Sequence, residues 1–249
     1  MDSSSLHALL LLSDSTLPLG SFAFSSGLES YLAHHHKTST SSRGRESRFF
    51  TFLRHSLANL ASTALPFVKS THEAAHRLPD LDNDCDASTA CTVARRASTT
   101  QGRALVVVWE RALRAACPSE SPLAVEAVAA IDASAAQLRS SSQEVFFFKG
   151  HFAPLFGAVC AALSVGEHET AYLFLLNHAK ALLSAAVRAG VLGPYQSQAI
   201  LAGGNLQTCL RECLSQEKPR KAENVAVTAP IMDLWIGRHE LLYSRIFNS

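Results

Sequence analysis

Apolar residues along the chain recur at helical spacing. Tyr172, Leu175, Leu176, Ala179, Leu182, Leu183, Ala186 and Val187 lie three and four positions apart, which puts them on one face of a helix. The pattern predicts a helix from about His168 to Ala189, stopped by Gly190 and by the Gly193-Pro194 break. A second stripe, Phe49, Leu53, Leu57, Leu60, Ala61, Ala64 and Val68, predicts a helix that Pro66 kinks or restarts, because proline lacks a backbone donor. Leu105, Val108, Trp109, Ala112 and Leu113 mark a third, and Pro118 and Pro122 bracket the turn into a fourth through Ala124 to Leu138. Further helices are expected within Pro154 to Leu163 and from about Tyr195 to Leu214. Three polar stretches read as loops: His36 to Arg45, Leu78 to Ser88 with its alternating aspartates, and Gln216 to Asn224.

No repeat of fixed period and no long linker interrupts this series, so residues 1–249 are expected to form one domain, with 225–249 as a C-terminal tail. The fold class is all-α, a single compact bundle of roughly eight to ten helices. Composition agrees: 38 Ala and 34 Leu stand against 14 Val and 5 Ile, and the first two lose little side-chain freedom in a helix. Charged residues are 17% of the chain and hydrophobic ones 47%, which leaves apolar surface after folding and points to a partner. A net charge of +1 without a basic stripe argues against nucleic acid, whose phosphates are recognised by clustered Lys and Arg. The apolar runs Leu9 to Leu12 and Tyr172 to Leu192, the second interrupted by Asn177, His178, Lys180 and Arg188, fall short of the roughly 20 unbroken residues a bilayer needs. With no basic residue ahead of the leucine run and six cysteines free of CxxC spacing, the chain reads as a reduced, cytoplasmic protein.

Candidate chemistry is sparse. There is no GxGxxG, P-loop or GxSxG signature. His72-Glu73-Ala74-Ala75-His76 has HExxH spacing, which on one helix gives two imidazoles for zinc and a glutamate as general base, with Asp82 as a third ligand. A zinc-dependent hydrolase is therefore the alternative reading. His34-His35-His36 can offer at most two rings to one ion, and Cys209 and Cys213 are half of a thiolate site or small core residues.

The chain ends carry more. Near the start stands Leu9 to Leu12, then Asp14, Ser15, Leu17, Pro18, Gly20, Phe22, Ser25, Gly27, Leu28 and Glu29, a short apolar helix ending in a proline-glycine turn with aromatics around it. Near the end stand Met232, then His239, Glu240, Tyr243, Ser244, Arg245, Ile246 and Phe247, aromatic and arginine residues of the kind that anchor interfaces. Between them come Gln101-Gly102-Arg103, Gly150-His151-Phe152 and the Leu192-Gly193 turn. In this order the motifs resemble the urease accessory protein family UreF, over nearly the whole chain. The departures are Ser21, where many members have Gly, and Ile246 ahead of Phe247, where many have Leu.

The resemblance implies an all-α, non-enzymatic adaptor, with no catalytic residue, resident metal or cofactor. It implies a homodimer that binds the UreD (or UreH) accessory protein, recruits the GTPase UreG, and with them delivers nickel to apo-urease. It further implies a tail that orders on UreD. The residues carried over as partner-binding are His239, Glu240, Tyr243, Ser244, Arg245 and Phe247 in the tail, with Leu17, Pro18, Gly20, Phe22, Ser25, Gly27, Leu28 and Glu29 near the start. Arg245 is the expected charge-assisted contact for UreG.

Overall fold

The computed structural model describes residues 3–34, 42–117, 121–140, 148–215 and 222–248. Among them the chain is all-α, as expected. The helices are α1 (Ser3–Ser13), α2 (Leu28–His34), α3 (Ser42–Thr63), α4 (Leu65–Glu73), α5 (Leu78–Ser88) and α6 (Thr92–Val108). They continue with α7 (Pro122–Arg139), α8 (Phe152–Ala162), α9 (Glu167–Arg188), α10 (Pro194–Ala202), α11 (Gly204–Ser215) and α12 (Pro230–Arg238).

Proline and glycine cut some expected stripes into shorter rods. The Phe49 stripe breaks at Ala64, and Pro66 falls in the first turn of α4, where its missing N–H has no helical partner to lose. The single helix expected from Tyr195 to Leu214 divides at Gly203 into α10 and α11. Helix α9 ends where glycine predicts: Gly190 takes φ +70°, and the Val191 N–H reaches back to the Ala186 carbonyl at 3.0 Å.

The expected loop Leu78 to Ser88 is instead α5. Its alternating aspartates obscured the stripe Leu78, Leu81, Asp82 and Cys85, all buried, while Asp80 and Asp84 point outward. Pro79 sits in its first turn, where its missing N–H has no helical partner to lose. Ser42 to Arg45, also expected in a loop, belong to α3, and the rest of that stretch, with His35 and His36, lies outside the described residues, as do Pro118 and residues 216–221.

Helix α8 is the hub, with every residue from Ala153 to Ala162 buried. Helices α4, α5, α6 and α7 surround it. The α4–α8 crossing depends on Gly157, because a methyl group there would overlap the backbone carbonyl of Val68. Helix α9 packs against α8 through Phe152, Phe156 and Phe174, whose ring centroids lie 5.5 to 5.9 Å apart. Among the described residues α9 is the helix long and apolar enough to cross a membrane, but its apolar face is buried in this core. Its other contacts include α1, α2, α3, α4, α10 and α11, and it is the rail on which the N-terminal segment lies.

Candidate functional site

The site is a junction between the two ends of the chain. Helix α1 stops at Ser13, and α9 satisfies its free carbonyls: Asn177 Nδ2 donates to Leu12 O at 3.0 Å, and Lys180 Nζ donates to Ser13 O. The following turn needs Gly20 at φ +68°, and a second reversal uses Ser26 and Gly27 at φ +49° and +84° to enter α2. Gly27 is also a close-approach position. A methyl there would stand 2.9 Å from the backbone nitrogen of Ile236 on α12.

Glu29, in the first turn of α2, receives the tail. Its carboxylate accepts His239 Nε2–H at 3.0 Å, the Ile246 N–H at 2.7 Å and the Phe247 N–H at 3.2 Å. One residue further, the Asn248 N–H donates to Ala23 O at 2.8 Å. The Arg188 guanidinium lies 4.4 Å above the Phe247 ring and also donates to Phe22 O, so one cation on α9 holds both ends. Trp235 completes the anchor against Tyr31 and His34, with centroids 5.6 Å away in each case. Around this ordered centre Phe22, Leu234, Leu241, Tyr243 and Ile246 expose more than half of their surface to solvent.

A second junction joins the internal motifs. Gly102 of α6 passes so close to the 150–152 segment that a methyl group would overlap the Gly150 carbonyl. Arg103 Nε donates to Lys149 O at 3.2 Å. The Asp82 side chain, buried on α5, accepts three successive backbone donors: Lys149 N at 2.6 Å, Gly150 N at 3.3 Å and His151 N at 2.5 Å. Burial pushes the Asp82 carboxyl up, and these donors pull against it. His151 is fully buried between Asp86 and Ser98, with Nε2 3.1 Å from Asp86 Oδ1 and Nδ1 3.1 Å from Ser98 Oγ. A carboxylate only accepts, so Nε2–H donates to Asp86, and the Ser98 oxygen also accepts the Phe152 N–H at 3.2 Å. The serine-histidine-aspartate line is thus a clamp on the N-terminus of α8.

Residues 45–204 match the model of the UreF family. Over 98% of its length the chain is 37% identical to 97% of a fission-yeast protein described as an uncharacterized urease accessory protein UreF-like. It is 32% identical to urease accessory protein F of Arabidopsis thaliana, over 95% of this chain and 89% of that one. It is 26% identical to the UreF protein of Actinobacillus pleuropneumoniae, over 98% and 99%. The chain belongs to the UreF family. Membership assigns it to urease maturation as an accessory protein rather than an enzyme. The family model covers the Asp82 junction, and the full-length relatives extend the likeness over both ends.

In this UreF chain the residues expected at the partner surface divide in two. Pro18, Phe22, Glu240, Tyr243, Ser244 and Arg245 are exposed. His239, Phe247, Ser25, Gly27 and Leu28 are buried, and Leu17, Gly20 and Glu29 are partly covered, so these eight build the junction itself. Glu240 pairs with Arg96 of α6 at 2.5 Å, and that cation, with Arg245 nearby, lowers its carboxyl. Arg188 and Asp82 were missed as site residues. Arg188 looks like an ordinary charge at a helix C-terminus, and Asp82 was read as a metal ligand in a loop.

The HExxH spacing does not produce a metal site. Helix α4 ends at Glu73, and Ala74 turns the chain at φ −141°, ψ +77°, so the two imidazoles do not share a helical face. His72 is buried with Nε2 2.7 Å from Val165 O, whereas His76 is at the surface with Nδ1 2.7 Å from Glu126. Asp82 spends its oxygens on backbone donors. This geometry removes the zinc-hydrolase alternative.

Proposed function

We propose that this UreF-family chain is an adaptor for nickel insertion into apo-urease. It binds the UreD (UreH) accessory protein, the pair recruits the GTPase UreG, and the chain does this in the cytoplasm as a homodimer. Nickel is the cargo of the assembly. The observation that carries the reading is the terminal junction: partly covered Glu29 and buried His239 and Phe247 fix a tail whose neighbouring residues Tyr243, Ser244 and Arg245 face solvent.

Such an arrangement suits a binding surface on physical grounds. The anchors lower the entropy cost of ordering the tail on a partner, and the exposed apolar side chains supply area to bury. Arg245 presents a planar guanidinium for a carboxylate or phosphate-type acceptor on UreG.

The test is recruitment. Full-length chain and Arg245→Ala are each mixed with the cognate UreD protein, then with UreG and GTP, and the complexes are captured through UreD. The adaptor reading expects equal capture of both chains on UreD, with UreG retained by the native chain and lost from the variant. UreG capture that is equal for both overturns the role given to Arg245, and failure of the native chain to bind UreD overturns the adaptor reading.

A further inference from the structure

Packing explains only half of the internal motif Gln101-Gly102-Arg103: Gly102 is fixed by its close approach to the Gly150 carbonyl, while Arg103 is exposed. Helix α6 packs against α12, so its outer face begins beside the tail. On that face stand Arg96 and Arg103. Seven residues are nearly two full turns, which puts both on one side of α6, about 10 Å apart. Each spends only part of its guanidinium on the chain itself. Arg96 Nη2 donates to Glu240 Oε1 at 2.5 Å, and Arg103 Nε donates to Lys149 O at 3.2 Å. The other N–H groups of both side chains have no acceptor among the described residues. His239 and Ile246 are held on the same Glu29 carboxylate, so Glu240 and Arg245, the residues just inside them, leave the junction from one point. Arg245 is thus set beside the Arg96–Glu240 pair, exposed and with no hydrogen bond or ion pair of its own among the described residues.

We propose that Arg245, Arg96 and Arg103 form one row of guanidinium groups that docks an acidic helix of the recruited GTPase. Carboxylates two turns apart on that helix would share a face and match the spacing of Arg96 and Arg103. The proposal rests on the recruitment reading and extends it from the tail onto α6.

Charge decides the occupant. The three arginines share the single carboxylate of Glu240, so the row takes an anionic partner. The Arg96–Glu240 pair lies at the surface, with 57% and 44% of the two side chains exposed, and such pairs are weakly held. It orients Arg96 and yields to a partner carboxylate at little cost. Planar guanidinium groups meet carboxylates with two parallel N–H bonds, a geometry that lysine does not offer. Three cations are fewer than the clusters a nucleic-acid backbone draws on, which favours a protein partner. Val107, one turn beyond Arg103 on the same face, and Tyr243 in the tail leave exposed apolar surface to bury beside the row.

The experiment uses the full-length chain bound to its cognate UreD protein and measures the dissociation constant for UreG with GTP at low and high salt. Arg96→Gln and Arg103→Gln keep a donor for Glu240 and for Lys149 O. Each is expected to weaken UreG binding about three- to fivefold at low salt, and the double variant about tenfold, with the differences shrinking at high salt. Capture on UreD is expected to stay equal. Arg111→Gln, at an exposed arginine just past α6 with no ion pair among the described residues, is expected to change binding less than about twofold. In Arg96→Lys and Arg103→Lys, carbodiimide is expected to join the introduced amine, as an amide, to aspartate or glutamate side chains two turns apart on one UreG helix. Native UreG affinity in the folded double variant, an equal loss in Arg111→Gln, or coupling to no UreG carboxylate overturns the proposal. Loss of UreG confined to Arg245→Ala overturns the row and leaves the recruitment reading standing, whereas failure of the native complex to hold UreG overturns that reading and the row with it.

Discussion

Glu29 and His239 meet at 3.0 Å across 210 positions of sequence, and this contact makes one surface of the two chain ends. The same carboxylate takes two tail amides, so removing it orphans three donors at once. Glu29→Ala is expected to cost about 2–4 kcal/mol, since hydrogen bonds to charged groups contribute about 1.5–3 kcal/mol each and do not add fully. Limited proteolysis checks it: cleavage after residue 238 accelerates in the variant and not in Glu240→Ala, whose ion pair with Arg96 is exposed.

Glycine positions separate close approach from mere flexibility. Gly157→Ala and Gly102→Ala each drive a methyl group into a backbone carbonyl, and each is expected to lose about 2–3 kcal/mol or more by thermal or urea unfolding. Gly204→Ala, with open space around its Cβ position and no left-handed φ, is expected to gain about 0.4–1 kcal/mol.

Asp82→Ala leaves the amides of Lys149, Gly150 and His151 without their acceptor. Each orphaned buried donor costs about 1–3 kcal/mol, so a loss of about 3 kcal/mol is expected from equilibrium denaturation. Hydrogen exchange at these three amides is expected to rise ahead of global unfolding. Unchanged exchange there contradicts the clamp.

Burial holds the His178 imidazole, bonded at 2.7 Å to Ser56, down to about 4 from its ordinary 6.5. The folded chain therefore keeps the neutral ring where the unfolded chain protonates it. Stability from this group is complete above about pH 6.5, falls as pH drops toward 4, and levels off below. At about 1.4 kcal/mol per pH unit the ceiling is about 3 kcal/mol, reduced by the ring's partial solvent access. His178→Gln is expected to flatten the unfolding free energy against pH between 6.5 and 4.

The helices were legible because Leu and Ala stripes repeat at three and four, and α9 ran from Glu167 to Arg188 where the spacing placed it. Helix α5 was hidden because four aspartates in seven residues look like a solvated loop, while one of them, Asp82, faces inward to cap a segment 67 positions away. Such a pairing leaves no local trace. The HExxH failed for the opposite reason: its spacing is local, and the chain leaves the helix inside it. The terminal motifs were readable as types of residue. That Glu29, Arg188 and Phe247 would meet was not, since nothing in a one-dimensional pattern pairs the first thirty residues with the last ten.

The central claim is that the two ends of this UreF-family chain form one partner-binding surface. Size exclusion with light scattering tests it most directly, on mixtures of the cognate UreD protein with the full-length chain and with a form ending at Asn224. The account predicts a stable complex at micromolar concentration for the full-length chain and separate peaks for the folded truncated form. Equal complex formation by both, or none by the full-length chain, contradicts it.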